Sequence, residues 1–214
     1  TIPITQSNLD NNVILGDTSL TLVAGETKTF DVTFVAGSDP GVITGKILIG
    51  GYEVLVSLNV QSEFLLFDSN IVVLNDNFQV EQGGDLKTLV TMIPFGNNPR
   101  LDVTLNFEIK DFSGNVYLTK SESILVTEQI DVRRNFDTGR IPLGDYVIAL
   151  QLVYPNGVAP SSAYFEIIES RGLGFFGIIV IILILLILII LIIIIIIQIK
   201  RRLDERKQQT GSYF

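Results

Sequence analysis

The chain has 214 residues and a formal net charge of −8, and it contains no His, no Cys and no Trp. These absences exclude Ser-His-Asp and Cys-His catalysis, zinc sites with the usual ligands, haem and iron-sulfur ligation, and disulfide bonds. Because nucleic acid is bound by basic surfaces, the acidic composition predicts no nucleic-acid partner, and nothing in the sequence predicts a catalytic residue, a cofactor or a small-molecule substrate.

Residues 1–61 are expected to form a small or incomplete β-sandwich module. Four short runs with strand composition, at 19–22, 27–35, 42–49 and 52–60, are separated by turn sequences. Four strands are few for a closed sandwich, so three explanations are open. Residues 1–16 supply a further strand, the module continues upstream in a longer precursor, or a strand from a partner chain covers an open edge. The absence of a signal-like segment in residues 1–30 favours processing over strand donation.

Residues 62–170 are expected to form an immunoglobulin-like β-sandwich. Apolar and polar residues alternate over 101–110, and the alternation returns over 146–154. Each run is followed by turn residues and a second apolar run, which predicts two hairpins. About seven strands in about 110 residues match the size of an immunoglobulin-like domain. The short junction at 61–63 predicts that the two modules stack end to end.

Two groups of polar residues in this second module have the composition of known sites. Asn75, Asp76 and Asn77 are similar to the calcium-binding linker of cadherin-like repeats, since hard cations take oxygen ligands. The further acidic motifs of such sites are missing, so an ordinary solvated turn is favoured and no metal site is predicted. Asp102 and Glu108 contain the carboxylates that glycoside hydrolysis uses, but the alternation places both on the solvent face of one strand.

Both modules resemble known families of surface domains. In the first, the AGE turn at 24–26 leads into the strand at 27–35, and DPGVITGKI follows at 39–47. This pattern resembles the NEW3 and related immunoglobulin-like repeats of archaeal and bacterial cell-surface proteins. The second, with IPLGDY at 141–146 and YPNG at 154–157, is similar to fibronectin-type and macroglobulin-type sandwich domains. The resemblance implies an extracellular spacer or adhesive role and transfers no catalytic residue.

Residues 171–199 are expected to form a transmembrane helix, followed by a basic cytoplasmic tail at 200–214. From Gly172 to Ile199 the chain has no charged residue, and about 20 apolar residues are enough to cross about 30 Å of hydrocarbon. Lipid offers no hydrogen bonds, so the segment must be helical. The residues predicted to anchor the chain are Gly172, Phe175 and Phe176 at the start, Ile192 and Ile197 in the span, and Lys200, Arg201 and Arg202 at the end.

The charges on the two sides of the span predict its orientation. Residues 1–171 carry 10 basic and 21 acidic side chains, whereas residues 200–214 carry 5 basic and 2 acidic ones. Cytoplasmic flanks are enriched in Lys and Arg, so the N-terminus is expected outside the cell and the C-terminus in the cytoplasm.

Together these features predict a single-pass protein of the cell membrane that is not an enzyme. Its expected partners are the lipid bilayer and a protein on the extracellular side. The favoured function is a structural or adhesive cell-surface stalk that binds another envelope or surface protein. The alternative is an accessory single-pass subunit of a membrane enzyme or secretion complex.

Overall fold

The computed structural model describes residues 1–9, 11–95, 100–170 and 175–210, and within the last range it describes the side chains of residue 177 and of residues 179–200. The chain divides into two compact units, Thr1–Ser170 and Arg171–Phe214. The first unit contains β-strands and the second contains one long helix. The predicted fold class, an all-β sandwich region followed by one C-terminal apolar helix, is confirmed.

Before residue 61, the part of the chain that the structure describes contains six strands. The largest sheet has the order β3-β1-β5-β6, and a second sheet contains β2 and β4. Residues 1–16 do supply further strands, because β1 pairs with β5 and β2 pairs with β4, both antiparallel. Buried Ile4, Leu9, Val13, Ile47 and Val56 fill the space between the sheets. The strands are β1 (Ile2–Ser7), β2 (Val13–Leu15), β3 (Ser19–Leu20), β4 (Val32–Phe34), β5 (Gly41–Ile49) and β6 (Tyr52–Val60).

Between residues 67 and 168, the described residues form eight strands. A three-stranded sheet, β12-β9-β7, faces a five-stranded sheet, β11-β10-β13-β14-β8, in which only β8 and β14 pair in parallel. If β7, β9, β10, β12, β13 and β14 are lettered A, B, C, E, F and G, the sheets are ABE and CFG, as in immunoglobulin domains. The strands are β7 (Phe67–Val73), β8 (Gln79–Glu81), β9 (Asp85–Pro94), β10 (Leu101–Asp111), β11 (Val116–Val126), β12 (Ile130–Asp137), β13 (Gly144–Tyr154) and β14 (Gly157–Ile168).

Strand β10 shows how the alternation in sequence builds the second core. Its residues Val103, Leu105, Phe107 and Ile109 are fully buried between the two sheets. The ring of Phe107 lies 5.1 Å from the ring of Phe136 on the facing sheet. The residues that alternate with them in sequence, including Asp102 and Glu108, lie on the opposite face of the strand, as predicted.

A tyrosine fixes the start of β13. The Tyr146 hydroxyl donates a hydrogen bond of 2.9 Å to the carbonyl of Pro142, four residues earlier, and its ring stacks on Phe165. This is the tyrosine corner found at the start of strand F in immunoglobulin-like sandwiches. Burial, and the neighbouring Tyr117 and Asp111, raise the pKa of the Tyr146 hydroxyl to about 12, so the group remains a hydrogen-bond donor at neutral pH.

We expect Tyr146→Phe to lower the free energy of unfolding by about 1–3 kcal/mol, because the Pro142 carbonyl loses its buried donor. Thermal denaturation followed by circular dichroism measures this loss. Tyr164→Phe is the matched control, since the Tyr164 hydroxyl bonds to Asp145 at an exposed position. Equal losses in the two variants would show that the corner has no special role in stability.

The sheets formed by β1 to β6 are called here the first group, and those formed by β7 to β14 the second group. The two groups of sheets pack side by side, which corrects the predicted end-to-end stacking. In β13, Ile148, Leu150 and Leu152 point into the sandwich core, whereas Val147 and Ala149 point the other way and pack on Val42 and Leu55 of the first group. Strands β5 and β6 therefore lie over the outer face of β13 and β14. Both groups belong to one compact unit, Thr1–Ser170, which gives no boundary near residue 61. The predicted division of this region into 1–61 and 62–170 therefore stays a prediction.

Candidate functional site

The helix α1 extends from Phe175 to Thr210, and its segment Ile179–Lys200 is long and apolar enough to cross a membrane. The segment has 22 residues, which rise about 33 Å along a helix axis, close to the thickness of a bilayer's hydrocarbon core. Every side chain from Ile179 to Lys200 is exposed in the isolated chain. A helix that is apolar on all sides needs an apolar environment, and lipid supplies one.

The predicted anchor residues lie at different places relative to this helix. Gly172 lies outside the described residues, and the helix begins at Phe175 and Phe176. Ile192 and Ile197 lie inside the candidate span, exposed on its surface. Lys200 is the last residue of the candidate span, and Arg201 and Arg202 follow it without a break in the helix.

The helix continues ten residues past the candidate span, to Thr210. The sequence prediction ended the helix at residue 199 and treated 200–214 as a separate tail. The segment from Lys200 to Gln209 consists of Lys, Arg, Leu, Asp, Glu and Gln, and most of these are strong helix formers. With no Gly or Pro in this segment, nothing local stops the helix at the end of the apolar run.

The calcium candidates Asn75, Asp76 and Asn77 form a turn, and the side chain of Asn75 already makes hydrogen bonds within the protein. The Asn75 amide accepts a hydrogen bond from the Lys87 backbone at 2.7 Å and donates one to the Asp85 carbonyl at 3.0 Å. Asp76 and Asn77 follow in a short 3-10 turn. Across residues 1–9, 11–95, 100–170 and 175–210, no group of three or more Asp or Glu side chains is placed to hold a metal ion. The contacts of Asn75 are those of a residue that attaches a turn to a strand.

The contact between the two groups of sheets has an apolar centre and polar links at its margin. The centre consists of Val42, Leu55, Phe112, Val147 and Ala149. Around it, the Thr44 hydroxyl donates to the Asp111 carbonyl at 2.9 Å, and the Ser57 and Ser162 hydroxyls lie 3.0 Å apart. Such a contact, with a buried apolar centre and hydrogen bonds at its margin, holds two sandwiches in a fixed arrangement.

Lys110 crosses the same contact. Its ammonium group donates a hydrogen bond to the carbonyl of Val42 and lies 3.6 Å from the Glu108 carboxylate. Burial lowers the pKa of Lys110, and the Glu108 carboxylate opposes this shift. A lysine at the solvent face of an isolated strand would be fully hydrated, so this partly buried position is a consequence of the packing of β5 on β10 and β13.

The Asp111 carboxylate organises the turn between β10 and β11. It accepts hydrogen bonds from the backbone N–H groups of Ser113 at 2.8 Å and Asn115 at 2.9 Å, and from the hydroxyl of Tyr117 at 3.2 Å. Burial alone would raise the pKa of Asp111, but these hydrogen bonds, with one from the Asn115 amide, lower it. The carboxylate therefore supports the hairpin turn, whereas the contact with Thr44 is made by the backbone carbonyl of Asp111.

We expect Asp111→Asn to lower stability at pH 7 by about 1 kcal/mol, because the charged acceptor is lost. A carboxylate with a lowered folded pKa stabilises the fold above its unfolded pKa, near pH 4, and loses this effect as the pH falls further. The variant should therefore show a smaller drop in melting temperature between pH 5 and pH 2. Asp102→Asn, an exposed carboxylate on the same strand, is the control and should leave the profile unchanged. Parallel profiles for native and Asp111→Asn chains would contradict the assignment.

Comparison with known proteins gives little direct information. No family model matches the chain, and no curated protein matches it. A search of solved structures finds the CARDB domain of the PF1109 protein from Pyrococcus furiosus, solved in complex with di-metal ions. This domain is 14% identical, and the match covers 52% of this chain and 95% of that domain with a TM-score of 0.36. A TM-score this low carries no argument, so the immunoglobulin-like assignment rests on strand order and the tyrosine corner.

The resemblance to NEW3-like repeats stays a prediction, since no family model supports it. Sequence reasoning missed the contact between the two groups of sheets. The signal was Val147 and Ala149, which are apolar at positions where the alternation of β13 calls for polar residues. An apolar run without alternation is typical of a strand covered on both faces.

Proposed function

We propose that this chain is a single-pass membrane protein that holds two packed β-sandwich modules on the outer surface of a cell and acts by binding another envelope or surface protein. The observation that carries the proposal is the apolar helix Ile179–Lys200, exposed along its whole length and followed directly by basic residues. The other unit is acidic, and its sheets need no disulfide bond or metal to account for their cores.

The distribution of charge supports the orientation. The five basic residues of the C-terminal part lie at the end of the apolar segment or after it, whereas residues 1–171 carry twice as many acidic as basic side chains. Under the positive-inside rule, the basic flank is retained in the cytoplasm and the acidic region is exported. The basic helical extension can also contact anionic lipid headgroups, at about 1 kcal/mol for each cation near the surface.

The side chains of the β region support binding over catalysis. The Tyr117 and Tyr146 hydroxyls belong to residues that line a cleft, and burial and nearby carboxylates raise the pKa of both, so neither is an activated nucleophile. The polar groups that line the neighbouring cleft, including Asn8 and Thr44, already bond to backbone carbonyls. The β region is therefore proposed to act by binding through its surfaces and not through reactive side chains.

The orientation can be tested with single cysteines, because the chain has no native one. Thr119→Cys places a thiol at an exposed position of β11, and Ser212→Cys places one in the C-terminal tail. In intact cells, a membrane-impermeant maleimide should label Thr119→Cys and should label Ser212→Cys only after permeabilisation. The reverse pattern would show that the β region is cytoplasmic, and labelling of both without permeabilisation would show that the helix does not span.

The binding function can be tested by purifying the full chain in mild detergent from its native membrane. We expect a surface or envelope protein in the complex, and we expect this partner to dissociate when protease removes the β region. A membrane enzyme or secretion component that co-purifies in equal amounts, and remains bound to the helix after proteolysis, would replace the stalk proposal by the accessory-subunit alternative.

A further inference from the structure

Strand β6 forms a long, open edge of the first group of sheets. It has nine residues, from Tyr52 to Val60, and pairs along its whole length with β5 on one side. In the part of the chain that the structure describes, no strand pairs with its other side. Its backbone groups on that side are available to another strand, as in any edge strand.

Protection against edge pairing is present at the edge strands β11 and β12 and is weaker at β6. Edge strand β12 carries Arg133 and Arg134, and edge strand β11 carries Lys120 and joins β10 through a register shift. Charged residues and bulges are the usual devices that prevent unwanted pairing. β6 contains one charged residue, Glu53, and its carboxylate is bound to Lys46 at 2.7 Å.

The face of β6 that points into the first sandwich is apolar and partly uncovered. Tyr52 is 82% exposed and Val54 is 46% exposed, because the opposing sheet has only two short strands. Further along the strand, Leu58 and Val60 border a groove of about 420 Å³. The other wall of the groove contains Phe34, Val35 and Ala36, beside strand β4.

We propose that two copies of this chain pair through β6 in an antiparallel arrangement with Val56 on the two-fold axis. This register is the one that pairs all nine residues. On the inner face, Tyr52 lies opposite Val60 of the second copy, and Val54 lies opposite its Leu58. Each Tyr52 then reaches the apolar groove of the other copy. The contact uses the same surface on both copies and is closed, so it stops at a dimer.

The strand is complementary to itself in this register, which is why the occupant is a second copy. Apolar residues face apolar residues along the inner face. On the outer face, Glu53 lies opposite Asn59, so the two acidic side chains are separated. A register centred on Glu53 would place two carboxylates opposite each other and leave the apolar half of the strand unpaired, which is unfavourable. The proposal does not depend on the orientation or the partner of the function proposed above.

The test uses a single cysteine in the full chain, reconstituted in nanodiscs or detergent. Opposite Cα atoms in an antiparallel pair are about 4.5–5.5 Å apart, within the range of a disulfide. We expect Val56→Cys to form a covalent dimer with a mild oxidant, and Thr119→Cys, on the protected edge strand β11, to give at least ten-fold less. Adding Val54→Lys to Val56→Cys should reduce cross-linking at least ten-fold, because a lysine on the edge opposes pairing.

Mass measurement of the cysteine-free chain keeps the proposal falsifiable if Val56→Cys does not fold. The native chain is expected to be a dimer and Val54→Lys a folded monomer, with folding checked by circular dichroism. A native monomer, a Val54→Lys dimer, or equal cross-linking at positions 56 and 119 would each overturn the proposal. A native monomer that binds a foreign strand at β6 would also overturn it, and would identify the edge as a site for a different chain.

Discussion

Under the proposed membrane anchoring, arginine at positions 188 and 192 is expected to release this chain from the membrane. Both positions lie near the middle of the apolar segment Ile179–Lys200, one helical turn apart, and both are exposed. An arginine at the centre of a membrane helix costs about 2.5–3.5 kcal/mol, so Leu188→Arg with Ile192→Arg should destabilise insertion by about 5 kcal/mol or more. Extraction of isolated membranes at alkaline pH should move the variant from the pellet to the supernatant.

The matched control keeps the same two positions apolar. Leu188→Ile with Ile192→Leu leaves composition and length unchanged and should remain in the pellet. The melting temperature of the β region should be the same in all three chains, because the helix and the sheets belong to separate compact units. If the double arginine variant stays in the membrane fraction, the apolar segment is not what holds the chain there.

Arginine at position 149 is expected to separate the two groups of sheets without unfolding the immunoglobulin-like sandwich. Ala149 is buried, and its side chain packs on the first group of sheets and not into the sandwich core. Overpacking alone costs about 1–3 kcal/mol, and a charge buried without a partner adds to this cost. We expect Ala149→Arg to weaken the contact by about 3 kcal/mol, so that scanning calorimetry shows two transitions.

Thr104→Arg provides the comparison, because Thr104 lies on the same face of the five-stranded sheet in neighbouring β10 and is only partly buried. Its effect should be below about 1 kcal/mol, as for most surface substitutions. Limited proteolysis should cut the segment between β6 and β7 faster in Ala149→Arg than in either Thr104→Arg or the native chain. One transition at the native temperature in Ala149→Arg would mean that the contact contributes little.

The parts of the fold that the sequence predicts well are those controlled by local periodicity. The alternation of β10 gave the buried face correctly, and Asp111 to Asn115 gave the turn of the hairpin, where Gly114 has the positive φ that such turns require. The turn at Pro155 and Asn156 was predicted for the same reason. In each case, the residues that decide the structure are neighbours in the chain.

The parts that were missed depend on contacts between distant segments or on the absence of a stop signal. The side-by-side packing requires Val42 and Leu55 to meet Val147 and Ala149, about 100 residues later, and no local rule connects them. The break between β11, which ends at Val126, and β12, which begins at Ile130, is also hard to locate from the sequence. Apolar residues occur on both sides of this break, so the only local sign of it is the short run of turn residues between the two strands.

For the candidate site, too, the sequence predicts one part well and another part poorly. The apolar segment and its basic end were evident, because a membrane imposes a length and a composition that few other environments require. The candidate edge at β6 was foreseen only as an open edge of an incomplete module. Its exact strand and its apolar groove depend on how residues 1–16 complete the sheet, and this is settled by pairing between β1 and β5.

The packing of β5 and β6 on β13 also sets an order of events during synthesis. Val42 and Leu55 leave the ribosome about 100 residues before Val147 and Ala149, which at about 5–20 residues per second is a delay of about 5–20 seconds. During that interval the outer face of the first sheet is an uncovered apolar surface on a nascent chain. Folding of this protein therefore has a vulnerable stage that ends only when β13 has been made, and a chaperone that covers this apolar face would act within it.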